Sequence, residues 1–258
     1  MACKHILGVQ KQTTNVGVLL EIGRIPMQIF AVKAAIKNWE RINQGQIGEA
    51  LKNNNTLAKS EKLPWLSHIE SILQTHNKES HLNNQTHAQY LFIHKLIFKE
   101  QCDIFHENAF HIIRSPESKL RTYSLLKTKV GCEDYLHTIK NTAVRQSLTK
   151  LRLSNHLLNI EKGRHTTPKT PKESRFCPFC PKKVEDEEHF LIECLTYEHP
   201  RNKMLTTGPF NTELFLQLTK RERFVELMSC KNTQLVAKYI HNLMEIRSFL
   251  VQNPKRPI

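Results

Sequence analysis

The fold of the carboxy-terminal half of this chain is decided by residues 177–194, CPFCPKKVEDEEHFLIEC. The stretch holds a Cys-x2-Cys pair and, after eight intervening residues, a His-x4-Cys pair. Thiolates and imidazole are the ligands that a tetrahedral zinc ion prefers, and four protein ligands close its coordination sphere. A closed site stabilises structure rather than activating water. The sequence therefore predicts one structural Zn²⁺ ion, held by Cys177, Cys180, His189 and Cys194.

The two halves of this motif predict different local structures. Residues 176–181 are typical of a tight turn, with a short hairpin at the first cysteine pair. The acidic residues 185–188 suit the first turn of a helix, whose N-terminus carries partial positive charge. His189 and Cys194 are five residues apart, about 140° around an ideal α-helix, so both cannot ligate from one straight helix face. We therefore predict that the helix ends at about Glu193 and that Cys194 turns back to the metal.

Two other interpretations of the cysteines are less consistent with the sequence. A disulfide framework fits poorly, because no signal peptide precedes the motif and the number of cysteines is odd, at seven. A catalytic zinc of the deaminase type needs an H-x-E ahead of P-C-x-x-C, whereas here the histidine follows the cysteine pair. The cysteines outside the motif have no paired spacing and are predicted to be ordinary buried thiols: Cys3, Cys102, Cys132 and Cys230.

Composition indicates a basic protein. Lys and Arg number 38 against 24 acidic residues, giving a net charge of +14 among 258 residues and a pI near 9.5. Such an excess favours polyanions, of which nucleic acid is the commonest, although a basic protein without that role is the alternative. No stretch approaches the roughly 18 apolar residues that a bilayer requires. The first residues are too short and polar for a secretory signal. We expect an intracellular chain, nuclear or cytoplasmic, with no membrane and no small-molecule substrate.

Charge is unevenly distributed around the cysteine motif. Residues 143–183 contain ten basic side chains opposed only by Glu161 and Glu173, whereas residues 184–198 contain six acids and no Lys or Arg. A polyanion would therefore meet the first cysteine pair and the helix before it. A solvated charged surface is the alternative interpretation.

Hydrophobic periodicity predicts a mainly α fold with little strand. Apolar residues recur every three or four positions from Ile25 to Trp39, and again in the last helix from Val236 to Leu250. Further helices are predicted from Pro64 to about Leu73, around residues 90–104, and as one helix from Thr142 to about Glu161. Polar loops are predicted at 52–62 and 76–86, and an extended connector at 165–173. Four regions follow: helices at 1–119, a connector with a basic helix at 120–165, the zinc module at 166–205 and terminal helices at 206–258.

Several segments resemble the carboxy-terminal part of reverse transcriptases encoded by non-LTR (LINE-type) retrotransposons. Residues 3–9 and 21–26 resemble the segment that follows the polymerase palm. Leu120–Tyr123 and residues 135–136 resemble the next landmark, and residues 148–164 the helix before the zinc motif. Residues 175–180 and 184–194 match the zinc signature. The resemblance extends to about Tyr197 and is less distinctive beyond it. Leu195 departs from it, since many relatives have proline there.

The resemblance implies a thumb-like helical part, a helical connector and a zinc knuckle, which in similar proteins hold template RNA and target DNA during target-primed reverse transcription. It implies zinc ligation by the four motif residues. It also implies a reverse transcriptase palm, supplied by another chain, as a partner. Nucleic-acid contact is implied at five positions: Arg145, Lys150, Arg152, Arg164 and Arg175.

Nothing in the sequence favours catalysis. Nucleotide polymerisation needs clustered aspartates that hold two metal ions. The chain has three aspartates, Asp103, Asp134 and Asp186, and they are widely spaced. We therefore expect no enzyme activity. One hypothesis is a non-catalytic, zinc-stabilised fragment that binds RNA or DNA; the alternative is a structural or protein-interaction fragment, a relic without selected function.

Overall fold

The computed structural model describes residues 2–43, 64–79, 87–210 and 212–253. These residues are mainly α-helical, as predicted, and they contain no β-strand beyond two isolated antiparallel bridges, Ile22 with Cys132 and Phe176 with Val184. The helices are α1 (Ala2–Leu7), α2 (Asn15–Glu21), α3 (Met27–Asn43), α4 (Pro64–Thr75), α5 (His87–Arg114), α6 (Arg121–Leu126), α7 (Tyr135–Thr138), α8 (Thr142–Arg152), α9 (Asn159–Lys162), α10 (Glu198–Thr207), α11 (Glu213–Gln217), α12 (Lys220–Met228) and α13 (Thr233–Gln252). Among the helices described, none is long and apolar enough to cross a bilayer.

The chain forms two compact units, and one of them is discontinuous in sequence. The larger unit combines residues 1–24 with 109–258, and the smaller unit is Ile25–Asn108. The four regions inferred from sequence stay a prediction, but the compact units divide the chain elsewhere. In particular, the first 24 residues belong with the carboxy-terminal half.

The smaller unit is built from α3, α4 and most of α5. Its core contains Ile36 and Trp39 of α3, Leu73 of α4 and Ile97 of α5, all of them fully buried. Burial of Ile29, Ile36 and Trp39 confirms the inward face inferred from their spacing. The loop predicted at 52–62 lies outside the described residues, as does most of the one at 76–86.

In the larger unit, α8 packs along α13. Leu148 and Leu151 of α8 share one core with Ile240 and Leu243 of α13. The same core contains residues of the cysteine motif, namely Cys177, Phe190, Leu191 and Cys194. The motif is therefore integrated with the helices around it rather than folded as a separate module.

The helix predicted from Thr142 to Glu161 is wrong as a single element. Helix α8 ends at Arg152, and a short α9 begins only at Asn159. Between them Ser154 adopts a left-handed backbone, with φ of 50°. The cause lies in distant residues, because the backbone N–H of Ile160 donates to the Glu185 carbonyl at 3.1 Å and that of Asn159 donates to the Glu185 carboxylate at 2.6 Å. Because the N–H groups of Asn159 and Ile160 bond to Glu185, they are not available to continue the helix from α8.

A buried ion-pair cluster ties the start of the larger unit to α8. Arg152 donates to Glu21 Oε1 at 2.8 Å and to Glu133 Oε2 at 2.7 Å, and Lys127 also donates to Glu133. Tyr135 donates its hydroxyl hydrogen to Glu21 as well. Because Glu21 and Arg152 are both buried, each is the necessary counter-charge of the other.

Candidate metal centre

The first cysteine pair sits on a hairpin turn, as predicted. The arms are joined by the Phe176–Val184 bridge, and the Cys177 N–H donates to the Lys183 carbonyl at 2.7 Å. The turn closes through the Lys183 N–H, which donates to the Cys180 carbonyl at 3.3 Å, with Lys182 in a left-handed conformation at φ 60°. This turn sets Cys177 and Cys180 on one side of the loop.

The second pair, His189 and Cys194, sits on a π-helical turn. Residues His189–Glu193 wind as a π-helix, and the Cys194 N–H donates to the His189 carbonyl at 2.7 Å. Asp186 starts the turn, since its carboxylate accepts from the His189 N–H at 2.8 Å. The helix ends at Glu193, as predicted. A five-residue hydrogen-bonded turn is wider than an α-turn, so it brings positions 189 and 194 toward the same side.

The four motif residues converge on one point. Their ligand atoms all lie within 4.8 Å of one another. Cys194 Sγ is 3.9 Å from Cys177 Sγ and 3.6 Å from Cys180 Sγ. A tetrahedral ion with metal–sulfur bonds of about 2.3 Å would set its sulfur ligands about 3.8 Å apart. The observed sulfur spacings therefore match those around a tetrahedral ion with metal–sulfur bonds of about 2.3 Å.

His189 supplies an independent test of the fit. The side chain is buried, yet neither ring nitrogen has a hydrogen-bond partner among the described residues. A buried polar group without a partner costs about 1–3 kcal/mol, so its position calls for a ligand that is not protein. Glu193 Oε2 lies 3.7 Å from His189 Nδ1, too far for a hydrogen bond.

Electrostatics at the cluster favour a cation. The interaction with Cys194 is the main cause that lowers the pKa of Cys177 to about 4, with smaller lowering contributions from the nearby His189 and from the backbone of Phe179 and Cys180. The interaction with Cys177 in turn raises the pKa of Cys194, and burial raises it further. Ionisation of Cys177 is thus favoured, and ionisation of Cys194 is disfavoured. Full ionisation of the set needs a positive charge among the sulfur atoms.

Two buried carboxylates between the cysteine pairs fix the motif to the helices. Glu185 accepts two hydrogen bonds from Arg247 of α13, at 2.7 and 2.8 Å. Glu187 accepts from Arg121 of α6 at 2.6 and 3.0 Å and contacts His156 Nε2 at 2.7 Å. Burial raises the pKa of Glu187, but the His156 hydrogen bond and the Arg121 charge outweigh it and lower the pKa to about 2.

The sequence predicts these acids in the first turn of a helix and does not reveal that Glu185 and Glu187 are buried against arginines. It carries no signal for this burial, because the four consecutive acids 185–188 show no alternation of apolar and polar residues. In the structure residues 185, 187 and 189 are buried and 184, 186 and 188 are partly buried, along a stretch that becomes helical at 187. The outward residues of the acidic block are also paired, Glu188 with Arg221 and Glu193 with Lys220.

The five positions implied for nucleic-acid contact do not form one surface. Arg152 is 5% exposed and is held between Glu21 and Glu133, so its assignment to nucleic-acid contact is wrong. His156, four residues after Arg152, is also buried, against Glu187. In both cases the partners lie far away in sequence, so the local spacing of basic residues does not indicate that the side chain is buried.

The other four positions are partly exposed, and most have internal partners. Arg145 donates to the Ile139 carbonyl at 2.7 Å, and Arg164 pairs with Glu161 at 3.3 Å. Arg175 crosses Gly163, where any Cβ would meet its side chain at 2.8 Å, and it donates to the carbonyl oxygens of residues 160 and 170. Lys150 has no side-chain partner in the described part of the chain.

Comparison with known proteins adds no relative: no protein-family model, no curated protein and no solved structure matches this chain.

Proposed function

We propose that Cys177, Cys180, His189 and Cys194 hold one structural zinc ion. The support is the donor set of three sulfurs and one imidazole, the sulfur spacing near that of a tetrahedral ion, and the imidazole without another partner. Four protein ligands leave no open position for a water or substrate, so the ion has a structural role. Bound there, it would supply the positive charge that keeps the thiolates together.

We further propose that the chain is a non-catalytic protein that binds RNA or DNA. The observation that carries the proposal is the imbalance of available charge around the metal centre. The acids of residues 185–193 are buried or paired. In contrast, five lysines within residues 162–172 and on the hairpin turn of residues 177–183 are exposed and have no side-chain partner among the described residues. They are Lys162, Lys169, Lys172, Lys182 and Lys183. Within residues 162–183 only Glu173 opposes them.

This surface differs from the one inferred from sequence. The exposed lysines proposed to bind phosphate lie on the connector and the turn, and among the described residues Lys150 is the member of the earlier set without a side-chain partner. Phosphate contacts release counterions, so affinity would fall steeply with salt. The chain would act within the nucleus or cytoplasm. A relationship to the carboxy-terminal part of a retrotransposon reverse transcriptase, with a polymerase palm supplied by another chain, belongs to this proposal and rests on the resemblance of its motifs.

The test is binding of the zinc-loaded chain to fluorescent RNA, single-stranded DNA and duplex DNA across a salt series. The triple variant Lys162→Gln, Lys169→Gln, Lys172→Gln should lower the slope of log K against log salt. If all three lysines contact phosphate, the reduction is about 2.7 on duplex DNA and about 2.1 on single strands. The matched control is Lys95→Gln, Lys99→Gln, Lys238→Gln, which removes the same charge from exposed positions elsewhere.

Equal losses in the two triple variants would show that only net charge matters, and the proposed surface would be wrong. Affinity no higher than that of an unrelated protein of equal charge would reject nucleic-acid binding altogether.

The second candidate function is a protein-interaction fragment. The observation in its favour lies in the smaller unit, where Met27 and Phe30 are exposed beside Ala31 and Ala34 and form a shallow apolar groove of about 520 Å³. Exposed apolar surface of this kind commonly marks contact with another protein. Sedimentation of the wild-type chain and of Met27→Ser with Phe30→Ser tests it: a change in self-association or solubility would favour this role, and identical behaviour would not.

A further inference from the structure

A shallow groove of about 360 Å³ lies directly beside the metal centre. Its lining combines apolar side chains, Phe179 and Leu195, with the ligands Cys180 and His189 and with two charged residues, Lys183 and Glu193. Leu195 is 73% exposed, so its apolar side chain is accessible at the edge of the groove.

Aromatic contacts with the core fix the position of Phe179 in the groove. Phe179 makes a T-shaped contact with Tyr197, with ring centroids 6.1 Å apart, and Tyr197 in turn packs against Phe190 at 5.0 Å. Tyr197 and Phe190 are fully buried in the core of the larger unit. The aromatic wall is therefore preorganised, and a ligand that packs on it need not order it first.

The charge around the groove is positive. Glu193 is the acid in the lining, and Lys220 neutralises it in an ion pair. Lys182 and Lys183 stand on the adjoining turn without side-chain partners in the described residues. Within the described part of the chain, the ammonium groups of the consecutive residues Lys182 and Lys183 are thus unpaired beside the apolar side chains of the groove.

We propose that this groove takes an unpaired nucleobase, with Lys182 and Lys183 on the adjacent phosphates. The inference rests on nucleic-acid binding as proposed above and narrows its ligand to single-stranded nucleic acid. An apolar and aromatic wall beside a basic rim suits a base face and its backbone together. In a duplex the base faces are stacked and only edges are presented, so a duplex can contact the lysines but not the wall.

The test uses wild-type protein and probes that differ only in their bases. A fluorescent single-stranded DNA is compared, at one salt concentration, with a strand of equal length and charge whose central nucleotides lack bases, with the matching RNA and with the duplex. Because one stacked base contributes about 1–3 kcal/mol, loss of the bases should weaken binding at least about fivefold. The affinities for RNA and for single-stranded DNA will differ if the protein contacts the sugars, but this difference does not affect the comparison between normal and base-free strands.

Two variants locate the effect in the groove. Leu195→Ala and Phe179→Leu should each weaken binding to the normal single strand and leave binding to the base-free strand and the duplex unchanged. Leu214→Ala is the control, since Leu214 is also 73% exposed and lies on α11, outside the groove. Zinc content and melting profiles of each variant report whether the fold is retained.

Equal affinity of wild-type protein for normal and base-free strands would overturn the inference, even if both bind in a salt-dependent manner and the proposed function holds. An equal effect of Leu195→Ala and Leu214→Ala would overturn the location. Absence of binding to every probe would reject the inference and the proposed function together.

Discussion

Replacing Glu187 by glutamine should destabilise the larger unit by about 3 kcal/mol. The change keeps the shape of the side chain and removes its charge, leaving Arg121 and His156 without the carboxylate they share. The pKa of Glu187 is about 2 in the folded chain against an ordinary 4.5, a difference of about 2.5 pKa units or about 3 kcal/mol. Arg121 keeps its ion pair with Glu161 at 2.6 Å, so the cost should fall within or below the range of about 3–5 kcal/mol that is lost when a buried ion pair loses one partner.

The pH dependence follows from the direction of the shift. Because the folded pKa of Glu187 lies below the unfolded value, its contribution is complete above about pH 4.5 and is lost as the pH falls toward 2. The stability curves of wild type and Glu187→Gln should therefore be separated at neutral pH and converge between pH 4.5 and 2.

The assay should follow the larger unit alone. Near neutral pH, zinc release into a chromogenic chelator across a urea series reports on that unit; at acid pH, where protonation of the cysteines itself releases the metal, amide hydrogen exchange in α8 and α13 reports on it instead. Both tryptophans of the chain, Trp39 and Trp65, lie in the smaller unit and serve as an internal reference. The matched control is Glu188→Gln, whose partly exposed partner Arg221 should make it worth less than about 1 kcal/mol. A cost for Glu187→Gln no larger than that of Glu188→Gln, or one unchanged down to pH 2, would refute the argument.

Three other changes test separate parts of the structure. Cys180→Ser should abolish zinc binding and unfold residues 177–194, whereas Cys230→Ser, outside the cluster, should retain one zinc per chain; equal zinc content by elemental analysis would remove the metal assignment. Arg152→Met should cost about 3–5 kcal/mol in urea unfolding because it leaves the buried Glu21 without its counter-charge, whereas Glu133 keeps Lys127; Lys150→Met should cost less than about 1 kcal/mol, and similar costs would mean that the buried pair stabilises little. His94 is 9% exposed with neither ring nitrogen hydrogen-bonded, and burial and then Lys33 lower its pKa, so the smaller unit should lose stability as the pH falls below 6.5. Tryptophan fluorescence across a pH series checks this, and a His94→Leu variant with the same acid sensitivity would contradict it.

The sequence was sufficient where structure depends on local patterns. The inward faces of α3 and α13 follow from apolar spacing, and the end of the helical turn at Glu193 follows from the geometry that His189 and Cys194 require. The convergence of the four ligand residues follows from spacing as well, because two short paired motifs leave little freedom for anything else.

The sequence was insufficient where distant charges decide the outcome. The interruption after Arg152 carries no glycine or proline signal, and it follows from hydrogen bonds with Glu185, a residue more than thirty positions away from the end of α8. Arg152 and Glu187 looked like solvated charges because their partners, Glu21 and Arg121, lie 131 and 66 residues away. Local periodicity shows which residues share a face, but it does not show which opposite charge will cover that face.

The separation of Glu21 from Arg152 also has a consequence for synthesis of the chain. At a translation rate of about 5–20 residues per second, the ribosome adds Arg152 about 7–26 s after Glu21. The whole of the smaller unit is made in that interval and can complete its own core first. Throughout it, Glu21, which is buried in the folded larger unit, remains without its partner. The last residue of the proposed metal cluster, Cys194, is added later still, so metal binding would complete a unit whose first helices were synthesised before the whole of the smaller unit.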